Sequence, residues 1–196
     1  MKNHDKPSLQ KICLSLGIVL LAAACAMLIF WQWNIRSASK QAGEYVDSLR
    51  RLIPEVQSAV LEERRDNSMA VLSLDGSDFV GILDFPLYDS ALPVAADWGS
   101  PTRYPRRLSG SIYDRSIQIG ASSQAGQYDF FRDISVGDQL FFTDMEGKRF
   151  AYAVTDIRYE KHADQSALQQ QDAALTLFIK NIYGFEYIVL FCDTLA

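Results

Sequence analysis

The chain has 196 residues, 48% of them hydrophobic and 22% charged, with a formal net charge of −5 at pH 7. Charges of both signs are interspersed, so no basic face exists of the kind that holds nucleic acid. Its 3 cysteines stand at no metal-type spacing and imply no disulfide framework, and no motif in the chain calls for a cofactor.

Residues 1–11 carry Lys2, Lys6 and Lys11 against Asp5. From Ile12 to Trp33 there is no charge, and Lys11 and Arg36 close the run. Those 22 residues would make a helix of about 33 Å, enough for a hydrocarbon core of about 30 Å. Trp31 and Trp33 fall where an interfacial aromatic belt sits, and the lysines place the N-terminus in the cytoplasm. Ala22-Ala23-Ala24-Cys25 faintly resembles a lipoprotein processing site, but the apolar run continues through Trp31 and puts Cys25 near mid-membrane. A cleaved signal peptide would have a shorter apolar run, so an uncleaved anchor over 12–33 is the expectation. Cys13 and Cys25 belong to that anchor, which leaves Cys192 alone outside the membrane, expected as a small buried apolar residue.

In residues 34–66, Tyr45, Leu49, Leu52, Ile53, Val56, Val60 and Leu61 recur at helical spacing, which predicts a helical stalk lying on the following domain or spacing it from the membrane. Pro54 is expected to kink or divide it.

Residues 67–196 then read as one mostly β domain. Predicted strands are Met69–Leu74, Phe79–Phe85, Leu92–Val94, Ser116–Ile119, Gln139–Thr143, Phe150–Ile157, Ala174–Ile179 and Glu186–Cys192. Phe141-Phe142-Thr143 and Phe150-Ala151-Tyr152, joined by a turn, predict a hairpin. Tyr128–Ile134 is expected as a short helix and 159–173 as a long solvated loop. Short strands at this spacing predict a small closed barrel or a sandwich.

Several of these segments, in this order, resemble the sortases, membrane-anchored cysteine transpeptidases of Gram-positive bacteria. Phe79–Pro86 followed by Leu92-Pro93-Val94 is similar to the strand and "LPV" turn that open the sortase barrel. Ser109–Tyr113 resembles the "GS" segment, Phe130–Ile134 with Val136–Leu140 the "F-x-x-L…GD-x-I" helix and strand, and Thr143–Val154 the hairpin that follows. Leu175-Thr176-Leu177-Phe178 resembles the strand leading to the catalytic cysteine, with class B-like sortases the nearest likeness. The resemblance covers roughly residues 69–192 and implies a sortase-like closed β-barrel with short helices, behind an N-terminal transmembrane helix and helical stalk.

It also implies where chemistry would lie. A sortase uses a cysteine that forms a thioester, a histidine that shuttles a proton and an arginine that steadies the oxyanion. At the matching positions this chain has Ser122 for the histidine, Lys180 for the cysteine and Tyr187 for the arginine, with Glu186 the alternative if the gap is off by one. His162 lies in a charged loop and Cys192 on the next strand, so neither restores the triad. Ser122 and Lys180 facing one another would make a serine–lysine pair if burial lowered the amine pKa. The blander reading, Lys180 at a strand end in solvent or paired with Glu186, outweighs it. Three expectations follow: a silent sortase-like protein binding a sorting-signal peptide, a pilin-type substrate or an active sortase; a divergent enzyme using Ser122 and Lys180 or another nucleophile; or an anchored spacer. An apolar, well-shaped groove beside Ile179, Tyr183 and Tyr187 would speak against the spacer, and a groove filled by its own side chains would favour it.

Overall fold

A computed structural model describes residues 9–59, 66–96, 104–122, 129–161, 173–181 and 186–195. It opens with one continuous helix, α1, Leu9–Leu52. Its apolar part, Cys13–Trp33, is 21 residues long with mean hydropathy 2.7 and is not buried against the rest of the chain. The charged part that follows changes character at Ala42. From there Ala42, Val46, Leu49 and Ile53 form a buried stripe at helical spacing, packed on Phe79, Ile82, Tyr104 and Met145. The stalk helix is shorter than its periodicity predicts, because the residue before a proline is disfavoured in the α conformation. Ile53 donates its N–H to the Leu49 carbonyl, and Pro54 then ends the helix instead of kinking it.

Beyond the proline, β1, Gln57–Ser58, runs parallel to the hairpin strand β8, Lys148–Glu160. The remaining strands are β2 Leu72–Leu74, β3 Ser77–Phe85, β4 Ser90–Ala95, β5 Arg106–Ser109, β6 Ile117–Ser122, β7 Gln139–Asp144, β9 Leu175–Asn181 and β10 Glu186–Thr194. Short 3₁₀ turns lie at Pro86–Tyr88 and Asp129–Arg132. The second stands where a short helix over 128–134 is expected, and residues 162–172 of the expected loop lie outside the described residues. Tyr159 and Glu160, expected in that loop, instead extend β8, because β10 offers them partners at Ile188 and Tyr187.

Neighbouring strands follow the path β1-β8-β10-β9-β6-β5-β4-β3-β2, and β7 pairs with both β3 and β8. β7 thereby closes β3 to β10 into a barrel of eight strands, with β1 and β2 as extensions. The expected hairpin is β7–β8, with Phe142 opposite Phe150. The interior is filled by one cluster that includes Val80, Leu83, Val94, Phe142, Leu177 and Leu190. β3 is apolar on both faces because the barrel interior covers one and α1 the other, so Val80 and Leu83 pack inward while Phe79 and Ile82 meet the helix.

Along α1 the neighbours change in a fixed order. Ala42 and Val46 share a cleft with Ala91 and Leu92 of β4. The Tyr45 ring lies 5.3 Å from that of Phe79 of β3, tilted by 40°, and Arg50 forms an ion pair with Asp84 near the other end of that strand. Last, the Pro54 carbonyl lies against Gly147 in the β7–β8 turn, where φ is +83° and an added Cβ would come within 2.8 Å of that oxygen. The docked helix therefore passes from β4 over β3 to the β7–β8 turn.

Candidate functional site

β6, β9 and β10 are adjacent, and their register sets the geometry of the positions singled out by sequence. β6 and β9 are parallel with Ser122 beside Lys180. β9 and β10 are antiparallel with Tyr187 opposite Lys180, while Glu186 is opposite Asn181. Ser122, Lys180 and Tyr187 thus stand in one line across three strands, at the spacing of direct cross-strand neighbours, about 5 Å. Register places Tyr187, and not Glu186, across from Lys180.

Strand alternation assigns the faces. Leu175, Leu177 and Ile179 of β9, with Ile188, Leu190 and Cys192 of β10, all lie in the interior cluster. The intervening residues face outward, so Lys180 is exposed on the outer surface. Ile179, expected beside a groove, is 2% exposed and belongs to the barrel core. An odd-numbered residue on β9 cannot share a face with Lys180, and this corrects the expectation. Tyr183 and His162 lie outside the described residues.

The outer face around Tyr187 is lined with aromatic and aliphatic groups of the chain itself. Phe178 and Tyr187 stack with ring centroids 4.8 Å apart and planes 9° from parallel. Phe178, Val189 and Phe191 form a buried cluster with Leu108 and Ala173 against it. The Arg158 guanidinium sits 4.9 Å from the centre of the Phe191 ring. This floor is built from side chains that satisfy one another, with an ammonium and a phenol ring at its edge. Sequence reasoning missed Phe178, Arg158, Val189 and Phe191. The β9–β10 pairing, once known, is the signal that finds Phe178, Val189 and Phe191, since they alternate with the core residues, and the β8–β10 pairing sets Arg158 opposite Val189.

Chemically, the line of Ser122, Lys180 and Tyr187 holds neither thiol nor guanidinium nor imidazole. A lysine acting as base for a serine must be held out of water, and Lys180 is exposed. The one thiol of the described barrel, Cys192, is fully buried in the interior, where desolvation pushes its pKa up and keeps it neutral. Its neighbour Tyr152 is also fully buried, with a hydroxyl that has no hydrogen-bond partner among the described residues; burial first, then the nearby Cys192, push its pKa up. Among the described residues no three or more His, Cys, Asp or Glu converge on a metal position.

A concavity of about 490 Å³ lies between α1 and β3–β4. Its floor is Asp84, held by Arg50 and, at 3.8 Å, by Arg149. Asp47 and Asp89 also line it.

No family model matches the sequence, and no curated protein does. The fold does match solved structures. A Clostridium perfringens sortase D transpeptidase superposes with TM-score 0.54 at 11% identity, covering 82% of this chain and 98% of the other. Sortase A from Corynebacterium diphtheriae gives 0.53 at 15% identity over 90% of this chain and 95% of its own. Clostridium perfringens sortase C, solved with the C-terminal cell wall sorting motif, gives 0.52 at 16% identity over 90% and 99%. The chain has a sortase-like fold: an eight-stranded barrel with short helices behind an N-terminal apolar helix. These structures are of classes A, C and D, and the fold they share does not single out the class B-like likeness read from residues 175–178.

Proposed function

We propose that this is a membrane-anchored sortase-fold protein that does not catalyse transpeptidation and instead binds a peptide or protein partner outside the cytoplasm. The observation that carries the reading is the line Ser122–Lys180–Tyr187 across β6, β9 and β10. On the family's pattern these positions would hold histidine, cysteine and arginine, and the residues present supply no nucleophilic thiol and no guanidinium to stabilise an oxyanion. A fold retained without its reacting groups points to binding, since the scaffold alone does not confer the chemistry. The apolar helix Cys13–Trp33 supports the anchor, and the excess of lysine before it supports an outward barrel. Partners consistent with the fold are a sorting-signal peptide, a pilin-type substrate or an active sortase.

The experiment is a cleavage and transfer assay on the full chain in detergent, with a fluorescent sorting-peptide library, with and without an amine acceptor. No turnover by the parent is the expected outcome. Turnover that disappears in Lys180→Ala would overturn the reading. A second reading, hydrolysis by Ser122 with Lys180 as base, has the β6–β9 register in its favour and the exposure of Lys180 against it. Labelling of Ser122 by a serine-reactive probe, abolished in Lys180→Ala, would establish it.

A further inference from the structure

From the way α1 docks on the barrel, we infer that α1 is a rigid strut holding the outer face of β6, β9 and β10 sideways over the membrane, about 20 Å beyond the hydrocarbon edge. This inference rests on the anchor reading above and adds the orientation and height of the candidate site.

Rigidity has two sources. The first is continuity: α1 runs unbroken from Leu9 to Leu52, with no proline between those residues, so the apolar segment and the docked segment are one rod. Only about 14 Å of helix separates Trp33 from Ala42, the first buried contact with the barrel, and none of it is extended chain that could swing. The second is a clamp along the docked segment. Leu49 is fully buried against β3, Arg50 pairs with Asp84, and Asp84 is held from the other side by Arg149 of β8. Past the helix end, Gln57 and Ala59 donate their N–H groups to the carbonyls of Gly147 and Arg149 at 2.9 and 3.0 Å. A hinge at either end would have to break these contacts together.

Orientation follows from the ring of strands. Going round the barrel from β3, the order is β4, β5, β6, β9 in one direction and β7, β8, β10, β9 in the other. α1 lies over β3 and β4, and β9 is four strands from β3 by both routes and three from β4 by the shorter, so the line of Ser122, Lys180 and Tyr187 lies on the far side of the barrel from the docked helix. A line from the helix axis through the barrel to β9 is therefore roughly perpendicular to α1. A membrane-spanning helix stands within about 20° of the bilayer normal on average. The β9 face then looks along the membrane plane, neither down at the lipid nor away from it.

Height follows from the same contacts. α1 meets β3 between Tyr45 and Arg50, which lie about 18 to 26 Å beyond Trp33 at about 1.5 Å per residue. The partner such a face fits is a segment presented at that height by another chain of the same membrane. An extended chain covers the distance in roughly 6 to 8 residues beyond its own span, at about 3.3 Å each.

The test uses the full chain in liposomes, with a donor fluorophore on Lys180→Cys in a Cys13→Ser, Cys25→Ala background and acceptor dyes on lipid headgroups. Cys192 stays, since its thiol is buried. Energy transfer from the parent is expected to give one narrow height near 20 Å. Inserting Gly-Gly-Ser-Gly-Gly after Ser37 is expected to broaden that height at least twofold while circular dichroism stays that of a folded barrel. A parent as broad as the insertion variant, in protein that floats with the liposomes, would overturn the strut and leave the anchor standing. Protein that does not float with the liposomes would overturn both.

Discussion

The two sides of the barrel use their charged and aromatic residues differently. On the β3 side, Asp84 is 8% exposed and sits between two arginines, and Phe79 is fully buried between Tyr45 and Tyr104. Phe79, Ile82 and Asp84 there all serve the junction with α1. On the β9–β10 side the lysine is exposed, and the aromatic pair Phe178–Tyr187 covers the surface of the sheet without reaching into the interior. One side fastens the domain to its helix; the other leaves the Lys180 ammonium to solvent or to a partner. A side chain buried against another element of the same chain is explained by stability, whereas an exposed one on a face opposite the anchor is free to serve binding.

Substitutions can break that contrast or sharpen it. The largest effect is expected for Phe79→Ala, which empties the centre of the α1–β3 contact and should cost about 3–5 kcal/mol, read by chemical denaturation. Asp84→Ala should cost less, about 1–3 kcal/mol, because the two arginines it abandons are partly exposed and can turn to water. The same variant should loosen the helix junction and broaden the height distribution of residue 180. Tyr187→Ala removes a stacked ring from the outer face and should cost about 0.5–1.5 kcal/mol. If the outer face binds peptide, this variant should weaken binding by more than its loss of stability accounts for. Lys180→Ala should change stability by no more than about 0.5 kcal/mol, since the side chain is exposed. A large loss of stability in Lys180→Ala would mean that the two sides are not as different as their burial indicates.

Much of the fold is legible in the amino-acid sequence. The uncharged run to Trp33 could only be a long apolar helix, and the Phe-rich pairs around Met145–Lys148 could only turn back on each other as β7–β8. Elements without an apolar pattern are not legible. β5 reads Arg106-Arg107-Leu108-Ser109, which carries no strand signal, and becomes a strand because β6 and β4 each offer it an edge. Gln57–Ser58 is exposed and polar and pairs only because the end of α1 delivers it to β8. The site is legible in part: the sequence points to Ser122, Lys180 and Tyr187, and the register brings them side by side. It misplaces Ile179, since periodicity alone does not say which of two alternating sets faces the core.

Local patterning is thus enough to determine the long apolar helix, the β-rich domain behind it and the residues standing at the candidate positions. Helix length, charge segregation and strand alternation act over a few residues and need no distant partner. The end of α1 at Leu52, the burial of Ile179, and the placement of β9 on the far side from the docked helix are decided only when β7 closes the ring. Closure assigns an inside and an outside to every strand at once, and that choice depends on neighbours far away in the sequence.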